Sequence, residues 1–198
     1  MTTLLVATTN AGKLREIRGL LAGLPFSFAS LTDFPAVQEP VEHGATFAEN
    51  ARAKAVYYAC ATGLLTVAED SGLEIDALDG APGVHSARFP GATYAEKFTE
   101  LFRRLDERGA GESPARFVCA LAVARGADVV FEAEGTVEGR IVRPPRGTHG
   151  FGYDPIFFYP PLGRTLAELD EADKSTVSHR GRAVRALRAF LERRELPF

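Results

Sequence analysis

Glu69 and Asp70 stand side by side, followed by Ser71 and Gly72, between an apolar run at residues 63–68 and the alternating Leu73-Glu74-Ile75-Asp76. Two carboxylates closing a buried strand are costly unless something positive meets them. Taken by themselves they read as a solvated turn, where most carboxylates lie, or as a site for a hard divalent cation, which takes oxygen ligands. Ser71-Gly72 reads as the bend that ends the strand. Glu42 supplies a further acid, so Glu42, Glu69 and Asp70 together form a candidate magnesium set.

Cations that would complement such a set recur along the chain. Thr8-Thr9-Asn10-Ala11-Gly12-Lys13 follows a short apolar strand and leads into a helix marked by Leu14, Ile17, Leu20 and Leu21. Unpaired amides at a helix start favour anions, so this loop suits a phosphate, as it equally suits an ordinary β–α turn carrying a surface lysine. It is not a Walker A loop, because Leu14 follows Lys13 where a Ser or Thr is required. Thr46-Phe47-Ala48-Glu49 is a capping box opening a helix to about Thr62. On that helix Phe47, Asn50, Ala51, Lys54 and Tyr58 share one stripe at 100° per residue. Lys54 is then either a snorkelling side chain or an inward cation. Lys174, His179 and Arg180 lie in or beside a second loop, where donors converge on an anion. Gly150-Phe151-Gly152-Tyr153-Asp154 sets two aromatics and a carboxylate among glycines, which suits a flat ligand or a plain structural loop.

These groups need a scaffold. The 198 residues, 45% hydrophobic and 25% charged, match one ordinary globular α/β domain spanning residues 1–198. Helical stripes also mark residues 94–105 and 184–191, strands mark residues 115–124 and 129–142, and Arg125-Gly126-Ala127-Asp128 reads as their hairpin turn. Thr165 to Glu168 reads as the cap of a short helix ending near Lys174. Residues 84–91 read as a loop. The net charge of −3 gives no basic footprint for nucleic acid, although residues 173–198 hold seven Lys/Arg against three Asp/Glu. No apolar run approaches a membrane span. Cys60 and Cys119, both within apolar segments, read as buried free thiols of a cytoplasmic protein.

Six of these segments, in order, resemble the motifs of the inosine/xanthosine triphosphate pyrophosphatases, the Ham1 or RdgB-type family. They are Thr8 to Lys13; Thr46-Phe47 with Glu49-Asn50-Ala51 and Lys54-Ala55; Glu69 to Leu73; Gly80 to Gly83 with Ser86-Ala87-Arg88; Gly150 to Pro155; and Lys174-Ser175 with Ser178 to Gly181. The resemblance implies an elongated mixed β-sheet flanked by helices, two lobes with an active cleft between them, and a homodimer. It implies Mg2+-dependent cleavage between the α and β phosphates of ITP, dITP or XTP. Asp70 would activate water and, with Glu42 and Glu69, hold the metal, and Lys54 would serve catalysis. Thr8, Thr9, Asn10, Ala11, Gly12 and Lys13 would bind the triphosphate. Ser71, Phe151, Gly152, Tyr153, Asp154, Lys174, His179 and Arg180 would bind the remainder of the substrate, with the aromatic loop and His179-Arg180 reading the base. A pyrophosphatase for dUTP or other altered pyrimidines, and a nucleotide-binding module without catalysis, stand as the alternatives.

Overall fold

A computed structural model describes residues 2–193; the last five residues of the basic C-terminal segment, 194–198, lie outside the described residues. A mixed seven-stranded sheet, ordered β2-β1-β3-β4-β5-β6-β7, carries the chain. Its strands are β1 (Thr2–Val6), β2 (Phe26–Ser30), β3 (Leu65–Ile75), β4 (Ser113–Arg125), β5 (Asp128–Ile141), β6 (Phe157–Tyr159) and β7 (Arg164–Thr165). β1 runs parallel to β2 and β3, whereas β5 with β6 and β6 with β7 are antiparallel. The helices are α1 (Ala11–Leu21), α2 (Phe47–Thr62), α3 (Tyr94–Glu107), α4 (Glu171–Val177) and α5 (His179–Glu192).

The chain divides into two compact units. Among the described residues the first holds 2–70, 119–135 and 179–193, the second 71–118 and 136–178. In the first, Leu4, Val6, Val67, Leu121 and Val123 of the sheet pack against Ile17 and Leu21 of α1 and Val184, Leu187 and Leu191 of α5. In the second, Leu73, Ile75, Val137, Ile141 and Phe157 pack with Phe98, Leu101 and Leu105 of α3. Of the apolar stripe expected for α3, Phe98, Leu101 and Leu105 are buried, Phe102 is half-buried, and Tyr94 at its start is exposed.

Local signals hold where they are strong. α2 spans the expected residues, with the Thr46 hydroxyl accepting from Glu49 N, the Glu49 carboxylate accepting from Thr46 N, and Gly63 in the left-handed region closing the helix. Three expectations are corrected. Ser71-Gly72 is no bend, since β3 continues through both; pairing and burial outweigh the turn preference of a single Ser-Gly. Residues 83–88 form 3₁₀ turns rather than a loop. The Thr165 capping box closes only a 3₁₀ turn at Leu166–Glu168, and Asp170 caps α4 separately.

Candidate active site

β3 decides the fate of the two central acids. Successive side chains of a strand point to opposite faces, so neighbouring Glu69 and Asp70 meet different helices. Asp70 faces α2: its Oδ2 accepts from Asn50 Nδ2 at 2.9 Å, and its Oδ1 lies 3.4 Å from Lys54 Nζ. The same ammonium lies 2.5 Å from Glu42 Oε1. Glu69 faces α1 and α5: its Oε1 is 2.9 Å from Lys13 Nζ and 3.4 Å from an Arg180 nitrogen, and its Oε2 accepts from Cys119 Sγ.

The two acids are accordingly tuned in opposite senses. Burial pushes the Asp70 carboxyl above the usual aspartate range, aided by the nearby Glu42 charge, against the downward pull of Lys54 and Asn50. Lys54 is held above its ordinary value: burial works against its charge, but Asp70 and Glu42 outweigh it. Glu69 is wholly buried, which would raise its pKa, yet Arg180 and Lys13 hold it far below the carboxylate range. Asp70 is thus the more basic carboxylate, and Glu69 is locked in its ionised form.

This geometry corrects the proposed metal set. Glu69 is a buried counter-ion for Lys13 and Arg180, not a partner of Glu42 and Asp70. Among the described residues no three His, Cys, Asp or Glu side chains converge as a metal cage. Glu42 and Asp70 remain as two oxygen donors that share one ammonium. The pair flanks the Lys54 ammonium from two sides, Glu42 at 2.5 Å and Asp70 at 3.4 Å. That donor set fits Mg2+, which is held by one or two carboxylates together with waters and substrate phosphates rather than by an all-protein cage.

Several positioning residues escape motif reading. Gly44 N donates to Asn50 Oδ1 at 2.8 Å, and a Cβ on Gly44 would stand 2.6 Å from that oxygen. The amide that steadies Asp70 is therefore itself fixed, and only glycine leaves room for it. Gly135 on β5 does the same for α5, because a Cβ there would stand 2.1 Å from His179 O. Glu16, one turn beyond Lys13 on α1, binds Arg180 at 2.7 Å. Of these, Gly44 was within reach of the sequence, two residues before the capping box; the others depend on tertiary packing.

The 8–13 loop is a capped helix start. Asn10 Oδ1 accepts from Lys13 N, Thr8 Oγ1 accepts from Asn10 N, and the first intrahelical bond runs from Leu14 N to Asn10 O. Ala11 and Gly12 precede that bond, so their amides belong to the anion-favouring helix start; Thr9, Asn10 and Ala11 are exposed. Ser71 is half-buried on β3. His179 and Arg180 are not loop residues but buried members of the first turn of α5. The Arg180 guanidinium, 2% exposed, is engaged by Glu16 and Glu69.

In the second unit, Lys174 Nζ lies 2.7 Å from Asp154 Oδ2 and 4.7 Å from the Phe151 ring centroid. The same carboxylate oxygen accepts from Phe151 N at 2.9 Å. Gly150 has a positive φ, and a Cβ there would stand 2.2 Å from Asp154 Oδ2, so the loop closes over the carboxylate only because residue 150 is glycine. Phe151 and Gly152 are half-buried, whereas Tyr153 is core: its ring packs among Tyr94 and Phe98, and its hydroxyl donates to Ser86 O. Tyr153 is therefore corrected from a stacking surface to a support for the loop. Cys119 is buried as expected, but Cys60 is exposed, since it falls on the outer face of α2.

Comparison with known proteins bears on the chain as a whole. The Ham1 family model matches residues 4–190. A dITP/XTP pyrophosphatase of Thermus thermophilus is 49% identical over 183 residues, covering 92% of this chain and 88% of that protein. A dITP/XTP pyrophosphatase of Exiguobacterium sp. is 46% identical over 186 residues, covering 94% of this chain and 95% of the relative. Among solved structures, a HAM1 protein from Coxiella burnetii superposes with a TM-score of 0.90 at 41% identity, covering 98% of this chain and all of that one.

Proposed function

This chain belongs to the Ham1 family, and from that premise we propose that it hydrolyses the deaminated purine nucleotides ITP, dITP and XTP to the monophosphate and pyrophosphate, with Mg2+ as cofactor, as a cytoplasmic homodimer. The observation that carries the reading is the placement of Asp70: a buried carboxylate with one oxygen held by Asn50 and the other beside Lys54. Geometry comes before pKa in choosing a general base, and Asp70 is the acid fixed in place by an amide and an ammonium.

In this reading Asp70 accepts the proton of the attacking water, and Asn50 fixes the carboxylate plane in which it does so. Lys54 balances Asp70 and Glu42 and neutralises charge developing on the phosphates. Glu42 and Asp70 would hold Mg2+, which when bound offsets the charge of the triphosphate and polarises the scissile phosphate. Thr8 to Lys13 binds phosphate at the start of α1, with the Lys13 ammonium steadied by Glu69. Ser71, beside Asp70 on β3, binds substrate, as does His179 in the first turn of α5.

Phe151, Asp154 and Lys174 read the base. The ring provides a stacking face, and the ammonium donates to a 6-keto oxygen. ATP presents an amino donor at that position and would set donor against donor, which a buried site tolerates poorly. None of the described helices is long and apolar enough to cross a membrane, and the overall negative charge disfavours nucleic acid as a partner.

A panel of triphosphates with Mg2+ tests the substrate class. ITP, dITP and XTP are expected to turn over at least tenfold faster, in kcat/KM, than ATP or dUTP. Faster hydrolysis of dUTP than of ITP would reject the reading in favour of a pyrimidine-directed pyrophosphatase.

A further inference from the structure

Tyr94 is the first residue of α3, following the Thr93 cap. Its ring is held on three sides: edge-on against Tyr153 at 5.4 Å, tilted against Phe98 at 6.2 Å, and under the Lys97 ammonium at 5.2 Å. Lys97 is itself buried and donates to Ala87 O, so it cannot swing away freely. A side chain pinned this way loses little further freedom on meeting a ligand.

Its hydroxyl is not similarly occupied. Among the described residues the Tyr94 Oη makes no hydrogen bond, and the residue is 39% exposed. The free end lies beside the loop assigned above to the base. A Cβ placed on Gly152 would stand 3.5 Å from Tyr94 Oη and 3.7 Å from Cζ. The phenol therefore walls the space that the missing side chain of Gly152 leaves open. Asp154, which binds Lys174, also faces the phenol electrostatically.

We propose that Tyr94 is a specificity-determining residue, its hydroxyl hydrogen-bonding the polar edge of the purine base held by the Phe151-Gly152 loop. The inference rests on the proposed activity towards purine triphosphates. Burial, reinforced by the Asp154 charge, raises the phenol above its ordinary pKa, so the hydroxyl keeps its proton and serves as a donor to a keto oxygen.

Tyr94→Phe removes the hydroxyl and keeps the packed ring, and its melting temperature is expected within about 2 °C of the parent chain. Losing one neutral hydrogen bond to the base predicts a KM for ITP and XTP raised roughly three- to tenfold, with kcat within about twofold. Inhibition by inorganic tripolyphosphate, which carries no base, is expected to be unchanged. An unchanged KM for both nucleotides would overturn the proposal, as would weakening of tripolyphosphate inhibition in parallel with KM. A parent chain that leaves ITP and XTP intact would instead overturn the activity on which the proposal rests, and the proposal with it.

Discussion

Glu69→Gln distinguishes a buried counter-ion from a metal ligand. The substitution keeps shape and volume while removing a charge whose side chain is 1% exposed and which lies 2.9 Å from Lys13 and 3.4 Å from Arg180. At an effective dielectric of about 20, each contact carries roughly 5 kcal/mol of Coulomb attraction, much of it spent offsetting desolvation. Removing one member of a buried ionic network costs about 3–5 kcal/mol, because the remaining charges stay buried without their partner. The amide oxygen still accepts a hydrogen bond, which favours the lower figure, about 3 kcal/mol. At roughly 2–4 °C per kcal/mol for a chain of this size, the melting temperature should fall by about 6–12 °C at pH 7. The pH dependence has a definite sign. Glu69 is depressed in the folded chain, so its stabilisation is complete above the unfolded glutamate pKa of about 4.3 and is lost as pH falls towards the folded value. The difference between parent and variant should therefore shrink on acidification below about pH 4. Thermal melts from pH 3.5 to 7.5, with a Mg2+ titration of activity, read both quantities. A melting temperature within 2 °C of the parent, with the Mg2+ midpoint raised tenfold or more, would refute the counter-ion assignment and restore Glu69 as a ligand.

Asp70→Asn should lower kcat by roughly 10²–10⁴-fold, the usual worth of a general base, while calorimetry still detects nucleotide binding; unchanged turnover would rule out Asp70 as the base. Lys54→Met removes the charge that draws Asp70 downward, so the acid limb of the pH–rate profile should move to higher pH, and an unmoved limb would show that the two groups are not coupled in the working enzyme. Gly44→Ala forces a Cβ into Asn50 Oδ1 and should cost kcat about tenfold or more through the lost hydrogen bond to a charged network, with Asn50→Ala giving a loss of similar size.

Much of this arrangement was legible in the sequence. The capping box at Thr46, the stripe carrying Asn50 and Lys54, and the helix start carrying Lys13 depend on contacts within a few residues, and they stand as expected. The central strand was recognised, but its end was misplaced, because Ser71-Gly72 carries a turn preference that only pairing with distant strands overrides. Had β3 been read as continuous, period-2 alternation alone would have parted Glu69 from Asp70. Tyr153 was misassigned for another reason: an aromatic beside a glycine-rich segment suits a ligand or a core equally. The partners that decide between these, Ser86 and Phe98, lie far away along the chain. Gly44 and Tyr94 act through position rather than type, so no motif marks them.

The most direct measurement is the identity of the products formed from ITP and Mg2+, read by phosphorus NMR or anion-exchange chromatography. Cleavage between the α and β phosphates predicts one IMP and one pyrophosphate per turnover; IDP and orthophosphate would contradict it.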